Sequence, residues 1–471
     1  MSNDEYYKDD EFLEMLNDYE GAVSRDEPVF LDADDLTDIA EYYQQNARYD
    51  DADRAISRAI ETEPHALSVL NYQVHQALAE GNVEEAEDFL DQMMERESPE
   101  YIYSRAEVMI AKGETDAADR FLRDCLHDVP SDEYQDYVLD VANIYTDYGL
   151  SDKAMEWMMR ARYDNTDDFK ELMARTLFGL GKYEDSERLF NELIDHDPFQ
   201  KRYWNALAST QFMKEDYSAS VTSSEYAIAI DPDDPDAVVS KANGLYRLEN
   251  YEQALTYFER YSRLVPDDEF GFLHQGSCLI NLGRFEDAVR QLNTAEQLAP
   301  DDSPYLLEIY EEQAFAYNEL HDVESAIRCI DKTDALECDH LDMMVIRGHI
   351  LLGNGRISEA EQMFRQALML SPDNKRTMVR ILVSLYDNKF VDSAYMLFKR
   401  FFTIVDDDWT DGYAYMALCC WDTKRLDEFM TYLKLACTKN PHEARIVLAD
   451  LFPEGMPPEE YYSYMQKNLN Q

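Results

Sequence analysis

The chain has little positive charge for its length: 43 Lys and Arg stand against 98 Asp and Glu in 471 residues, a formal net charge of -55. The acids are spread along the chain rather than gathered in one tail. This balance excludes nucleic acid as a partner, because binding there is driven by Lys and Arg displacing counterions from phosphates. The anionic inner face of a membrane is disfavoured for the same reason. Long apolar runs are also missing, and nothing approaches the roughly 20 uncharged residues that a membrane helix needs. The opening MSNDEYYKDDEFLEML is acidic where a secretory leader would be basic. A cytoplasmic protein is expected. The seven cysteines are scattered and form no CxxC pair, so they are expected to be reduced and mostly buried.

Signatures of chemistry are lacking as well. GLGK at Gly179 to Lys182 has neither the spacing nor the following Ser or Thr of a phosphate loop. HEAR, beginning at His442, has Ile446 where a zinc protease needs its second histidine. Cys338 and His340 are two ligands where a tetrahedral metal site needs about four. Catalytic, cofactor-binding and metal residues are therefore all expected to be none, and an enzyme is not expected. The numerous tyrosines and phenylalanines fall largely on positions that pack between helices, and stacking on nucleic acid would want interleaved Arg and Lys.

What is present is a period. Small residues recur at Ala52, Ala86, Ala118, Ala154, Ser186, Ser220, Ala254, Ala288, Ala326, Ala360 and Ala394, in steps of 32 to 38 that are mostly 34. Gly81, Gly113, Gly149, Gly181, Gly283 and Gly355 each fall five residues before a member of this ladder. Glycine there suits the left-handed residue that ends a first helix, and the small residue then lets a second helix cross it closely. Prolines close many of the units, at Pro64, Pro130, Pro198, Pro232, Pro266, Pro300, Pro372 and Pro441. The intervals of 34 from Pro198 to Pro300 reproduce the period independently. Neighbouring Asp residues, as in DPDDPDA and APDDSP, are expected to cap the next helix. Such a ladder means stacked repeats sharing one elongated core.

These residues resemble the tetratricopeptide repeat family, a 34-residue helix-turn-helix unit. A repeat started at Lys201 places Trp204, Leu207, Ala208, Tyr217, Ser220, Ala227 and Pro232 on the family's pattern, and one started at Glu269 fits with Phe272, Gly276, Leu279, Phe285, Ala288, Ala295 and Pro300. The resemblance implies an all-α, right-handed superhelical solenoid of about twelve helix-turn-helix units with helical ends. The repeats start near Ala33, Leu67, Pro99, Gln135, Asp167, Lys201, Pro235, Glu269, Leu307, Leu341, Lys375 and Thr410. The expected organisation is 1–32 as an acidic N-terminal segment or cap, 33–443 as the solenoid and 444–471 as C-terminal capping helices. Two irregularities stand out. The repeat near Leu307 follows a four-residue insertion and has Cys338 in place of its closing proline, and Phe429 replaces the small residue of the last repeat, where looser or differently angled packing is expected.

In the family, positions 2, 5, 9 and 12 of each repeat line a concave groove that binds extended or helical peptides. Carried onto this register, the resemblance implies a groove made by Asn71, His75, Tyr103, Asn143, Arg175, Asn205, Phe212, Asn243, Tyr246 and Trp421. Asparagine amides can both donate to and accept from a peptide backbone, and aromatics supply anchors. No three successive repeats carry the Lys and Asn set of the chaperone-tail-binding members, so a carboxylate clamp is not expected. The implied function is a non-catalytic scaffold or adaptor that binds a basic protein segment. The alternative is a regulatory subunit or co-chaperone-like module controlling a separate enzyme, with the acidic N-terminal segment competing for the groove. The acidity either attracts the partner or only keeps a helix-rich surface soluble. Self-association is left open.

Overall fold

The computed structural model describes residues 6, 7, 9–25, 28–45, 48–162, 165–371, 374–453 and 455–469. Two compact units divide the chain, Met1–Pro232 and Asp233–Gln471, referred to below as the N-terminal and C-terminal halves. Among the described residues every regular element is helical. Each half holds six helix pairs, and each pair is one of the twelve expected repeats. In the N-terminal half they run from Ala33–Gln45 with Tyr49–Thr62 to Lys201–Met213 with Tyr217–Ile230; in the C-terminal half, from Pro235–Arg247 with Tyr251–Leu264 to Tyr413–Asp422 with Leu426–Lys439. Within a half, first helices of successive pairs pack on each other, as Leu67–Ala79 does on Pro99–Ala111 and His340–Gly353 on Asn374–Asp387. Stacking of this kind buries a face that one pair alone leaves open.

The small-residue ladder lies where the two helices of a pair meet. Ala52 is 1 % exposed and the other ten, from Ala86 to Ala394, are 0 %. Some repeats need a second gap on the first helix. A Cβ at Gly276 would lie 2.5 Å from the buried Leu292 Cγ, and one at Gly348 would collide with the Phe364 ring. In the last repeat Phe429 occupies the ladder position, fully buried with its ring 5.0 Å from that of Trp421. The repeat near Leu307 is irregular in another way. Its second helix stops after Val323–Lys332 and a 3-10 turn, Thr333–Ala335, leads to Cys338.

All six turn glycines adopt positive φ, between 69° and 79°. In five of the six remaining repeats the same position is held by Glu215, Glu249, His321, Lys389 and Lys424, with φ between 58° and 67°, and the turn of the first repeat lies outside the described residues. A side chain in this region costs about 1–2 kcal/mol, whereas glycine loses about 0.5–1 kcal/mol through its greater freedom when unfolded. Glu249→Gly is therefore expected to stabilise the C-terminal half by about 0.5–1 kcal/mol. Gly283→Ala, at a site where nothing lies within 4 Å of the added Cβ, should destabilise it by about 1 kcal/mol for conformational reasons alone. Paired thermal melts test both, and equal shifts in the same direction would refute the account.

Helix starts follow the expected chemistry. Asp234 accepts from the Asp236 amide at 3.1 Å just before Pro235, and Asp268 accepts from the Phe270 amide at 3.0 Å. In APDDSP the bond is made by Ser303, which accepts from the Tyr305 amide at 3.1 Å. Pro372 lies outside the described residues, as do residues 1–5. At the N-terminal end, helix Asp10–Ser24 lays Phe12, Leu16 and Tyr19 on Leu36, Ile39, Ala40 and Tyr43 of the first repeat. At the other end, helix Pro458–Leu469 buries Tyr461 and Met465, and the Tyr461 ring stacks on Phe452 at 3.7 Å.

Candidate functional site

In the N-terminal half the implied groove residues are tied to one another across successive repeats. Ser104 Oγ donates to Asn71 Oδ1 at 2.6 Å, and His75 Nε2 lies 3.0 Å from Glu107 and 3.4 Å from Ser104 Oγ. Tyr103 donates its hydroxyl to Asp140 at 2.9 Å. Arg175 donates to Asn143 Oδ1 at 3.0 Å while pairing with Asp147, to which Asn143 Nδ2 also donates at 2.9 Å. Burial alone would push the His75 imidazole down. The Glu107 hydrogen bond and the charges of Glu107 and Glu41 outweigh it and raise its pKa. The contacts between repeats span 28 to 37 residues, so they hold neighbouring first helices in register. Asn205 is half-buried, and the Phe212 ring meets Tyr217 edge-on at 5.3 Å.

In the C-terminal half Asn243 is half-buried. Tyr246 meets Tyr251 edge-on at 5.4 Å, stacks over His274 at 6.3 Å and accepts from Asn281 at 3.4 Å. Trp421 turns against Phe429 of its own repeat. None of these three lines the concavity beside helix Leu306–Glu319. That concavity, about 860 Å³, is lined by Ile280, Asn281, Pro304, Leu307, Glu308, Glu311, Glu312, Phe315, Asn318, Ile346, His349 and Ile350.

Its core is the register itself. Glu308, Glu311, Phe315 and Asn318 are positions 2, 5, 9 and 12 of the repeat near Leu307, Ile280 is position 12 of the repeat before and His349 position 9 of the repeat after. An adjoining pocket of about 460 Å³ shares Ile346 and His349 and ends at the Asp342–Arg380 ion pair. Selecting groove positions for asparagine and aromatics passed over the glutamates. Applying the same four positions to the irregular repeat would have found them.

The larger pocket joins apolar walls to carboxylates. Phe315 is 49 % exposed, and its ring and that of Phe285 meet edge to face at 6.3 Å. Glu308, Glu311 and Glu312 lie on one face of helix Leu306–Glu319, being three and four residues apart. Burial raises the pKa of all three, and the charge of Glu308 adds to the effect on Glu311 and Glu312. Glu312 is pushed up to about 7, against the opposing hydrogen bond from Ser277 Oγ at 3.4 Å. No Lys or Arg lines the pocket, and burial lowers the pKa of His349. Among the described residues there is no group of three or more His, Cys, Asp or Glu able to hold a metal ion, and no helix long and apolar enough to cross a membrane. Cys338 Sγ lies 3.7 Å from His340 Nδ1.

Family models described as tetratricopeptide repeat match residues 37–102, 172–235, 239–303 and 341–374, in phase with the helix pairs. The chain is a tetratricopeptide repeat protein. Similar solved structures include the APC/C hetero-tetramer Cut9-Hcn1, at 15 % identity over 88 % of this chain and 75 % of that one, with a TM-score of 0.41. Another is MamA 41-end from Desulfovibrio magneticus RS-1, at 17 % identity over 37 % of this chain and 97 % of that one, with a TM-score of 0.35. No curated protein matches the tetratricopeptide repeat chain.

Proposed function

We propose that this tetratricopeptide repeat protein is a non-catalytic scaffold or adaptor that holds a basic protein segment in the groove of its C-terminal half. The observation that carries the reading is the pocket around Phe315, where three glutamates stand on apolar walls without a lining Lys or Arg. A segment with a cation beside an apolar side chain complements both. The net charge of -55 adds long-range attraction, which salt screens over a Debye length of about 8–10 Å. Nucleic acid and anionic membranes are disfavoured by the same field. The packing of Phe12, Leu16 and Tyr19 on the first repeat supports the N-terminal segment as a cap rather than a competitor for the groove.

Photo-crosslinking tests this in native extract, with benzoylphenylalanine at Phe315 or, as a control, at Glu361 on the separate pocket along helix Ile357–Leu370. Crosslinks from Phe315 should map to Lys- or Arg-containing segments of one partner, and Glu308→Lys with Glu311→Lys should cut recovery at least about tenfold, roughly 1.4 kcal/mol. Recovery that is unchanged by charge reversal, with crosslinks only from Glu361, refutes the reading.

A further inference from the structure

We infer that the pocket beside Phe315 is a proton-linked receptor for one arginine side chain, whose arrival expels a proton from the Glu308, Glu311 and Glu312 cluster. The inference rests on the groove reading above and adds the identity of the captured group and the control of its capture.

The geometry supplies the reason. Three carboxyl groups share one helical face inside a concavity with Ile280, Leu307 and Ile346 around it. Three negative charges held this closely in a partly desolvated site disfavour one another, so the empty site keeps part of a proton. Burial and the charges of Glu308 and Glu311 raise the Glu312 carboxyl furthest, to about 7.

Among the described residues that line the pocket there is no Lys or Arg; Arg380 of the adjoining pocket pairs with Asp342, and Lys332 of helix Val323–Lys332 pairs with Glu296. On its own helix Glu312 faces Glu308 and Glu311. From helix Glu269–Asn281 come Ser277 and Cys278, and burial together with Glu312 raises the thiol to about 12. From helix Pro235–Arg247 comes the Tyr246 phenol, also raised to about 12 by burial and by Glu312. From helix His340–Gly353 comes His349, whose imidazole burial holds in its neutral form. Helix Phe285–Leu298 presents Phe285 to Phe315. Its Glu296 takes up Lys332 and the Gln313 amide instead.

Arginine fits better than lysine. A guanidinium can make paired hydrogen bonds to carboxylates and pack against the exposed part of Phe315 at the same time, and it is less costly to dehydrate than an ammonium. The charge balance is simple. The protonated carboxyl group gives up its proton to solvent and the resulting carboxylate pairs with the guanidinium, so no bond in the peptide changes. Because a carboxyl group near its pKa is half protonated, about half a proton should leave per peptide at pH 7.

Isothermal titration of the full chain with a capped decapeptide of Leu and Ala carrying one Arg, in phosphate and in Tris buffer, counts the released protons. The peptide with citrulline in place of Arg is the neutral probe. The inference expects release of about half a proton at pH 7, falling toward zero at pH 8.5, and at least tenfold weaker citrulline binding. Glu312→Gln should keep its fold by circular dichroism and bind the Arg peptide without proton release. Glu308→Gln, at an exposed position, should reduce release without abolishing it. Arg-dependent binding with no proton exchange would overturn this inference and leave the groove reading intact. Failure of the Arg peptide to bind at any pH, or equal binding of the citrulline peptide, would overturn both.

Discussion

Trp157→Ala is expected to lower the stability of the N-terminal half by about 3–5 kcal/mol. Trp157 is 0 % exposed and among the largest fully buried side chains of the described chain. Its ring lies edge-on to Tyr137 at 6.3 Å, and the Arg160 guanidinium sits 4.3 Å from its centroid. Truncation therefore removes both the transfer energy of the indole and the contacts around it, and the helices on either side can close the gap only in part. A polar penalty is added. Trp157 Nε1 donates to Asp119 Oδ1 at 2.9 Å, and the Asp119 side chain, 8 % exposed, also takes Arg123 and lies near Lys153. Losing the indole leaves a nearly buried carboxylate short of one donor. Trp157→Phe keeps most of the volume and loses only the donor, so it should cost about 1–3 kcal/mol. Urea unfolding measures both, and hydrogen exchange should show protection lost first in helices Tyr134–Asp147 and Ser151–Met158. A loss below about 1 kcal/mol for the alanine variant would contradict this packing account.

Thermal stability is expected to rise as pH falls from 7.5 to 5.5, by on the order of 5 °C. Asp38, Glu41, Asp140, Glu308, Glu311, Glu312, Asp387 and Glu443 all have raised pKa values, with burial the leading cause in each. For such a group the folded state holds its proton more tightly than the unfolded state. Its contribution is thus present below the ordinary carboxyl range and is lost as pH rises through the raised value, about 7 for Glu312. Groups of the opposite kind act in a lower window. Burial would raise Asp119, but its hydrogen bonds to Arg123 and Trp157 and the Lys153 charge prevail and lower it. Its contribution is present above about pH 4 and is lost below. Stability should therefore pass through a maximum near pH 5, helped by relief of the net negative charge. Calorimetric melts at low ionic strength from pH 5 to 8 test the curve, and Glu312→Gln should flatten it between pH 6 and 7.5. A melting temperature that falls from pH 7.5 to 5.5 would refute the sign.

From the sequence, groove residues could be named only by repeat position and residue type. In the repeat near Leu307 positions 2, 5, 9 and 12 line one concavity, since they share a helical face. Choosing among them by residue type favoured Asn71, His75, Tyr103, Asn143 and Arg175. In the structure these bond to Ser104, Glu107, Asp140 and Asp147 or to each other, so their polar groups already have partners. Whether a groove residue is available depends on what the next repeat places opposite it. That is a relation between helices more than 30 residues apart, and no single position records it. Glu308, Glu311 and Phe315 belong to the repeat with an inserted loop and no closing proline, which made its register the least conspicuous.

The period, the twelve helix pairs, the glycine turns and the buried small-residue ladder were determined by the sequence alone. Each repeat folds mainly through contacts with itself and its neighbours, so a pattern of small residues, turn formers and caps every 34 residues or so suffices to place them. Tertiary structure decided the rest. It drives Glu215, Glu249, His321, Lys389 and Lys424 into the left-handed turn that glycine takes elsewhere, because the crossing of two packed helices outweighs the local preference of one residue. It also buries Phe429 where a small residue was expected and gathers three glutamates around an exposed Phe315, since packing, burial and the field of nearby charges arise only when the helices stand side by side.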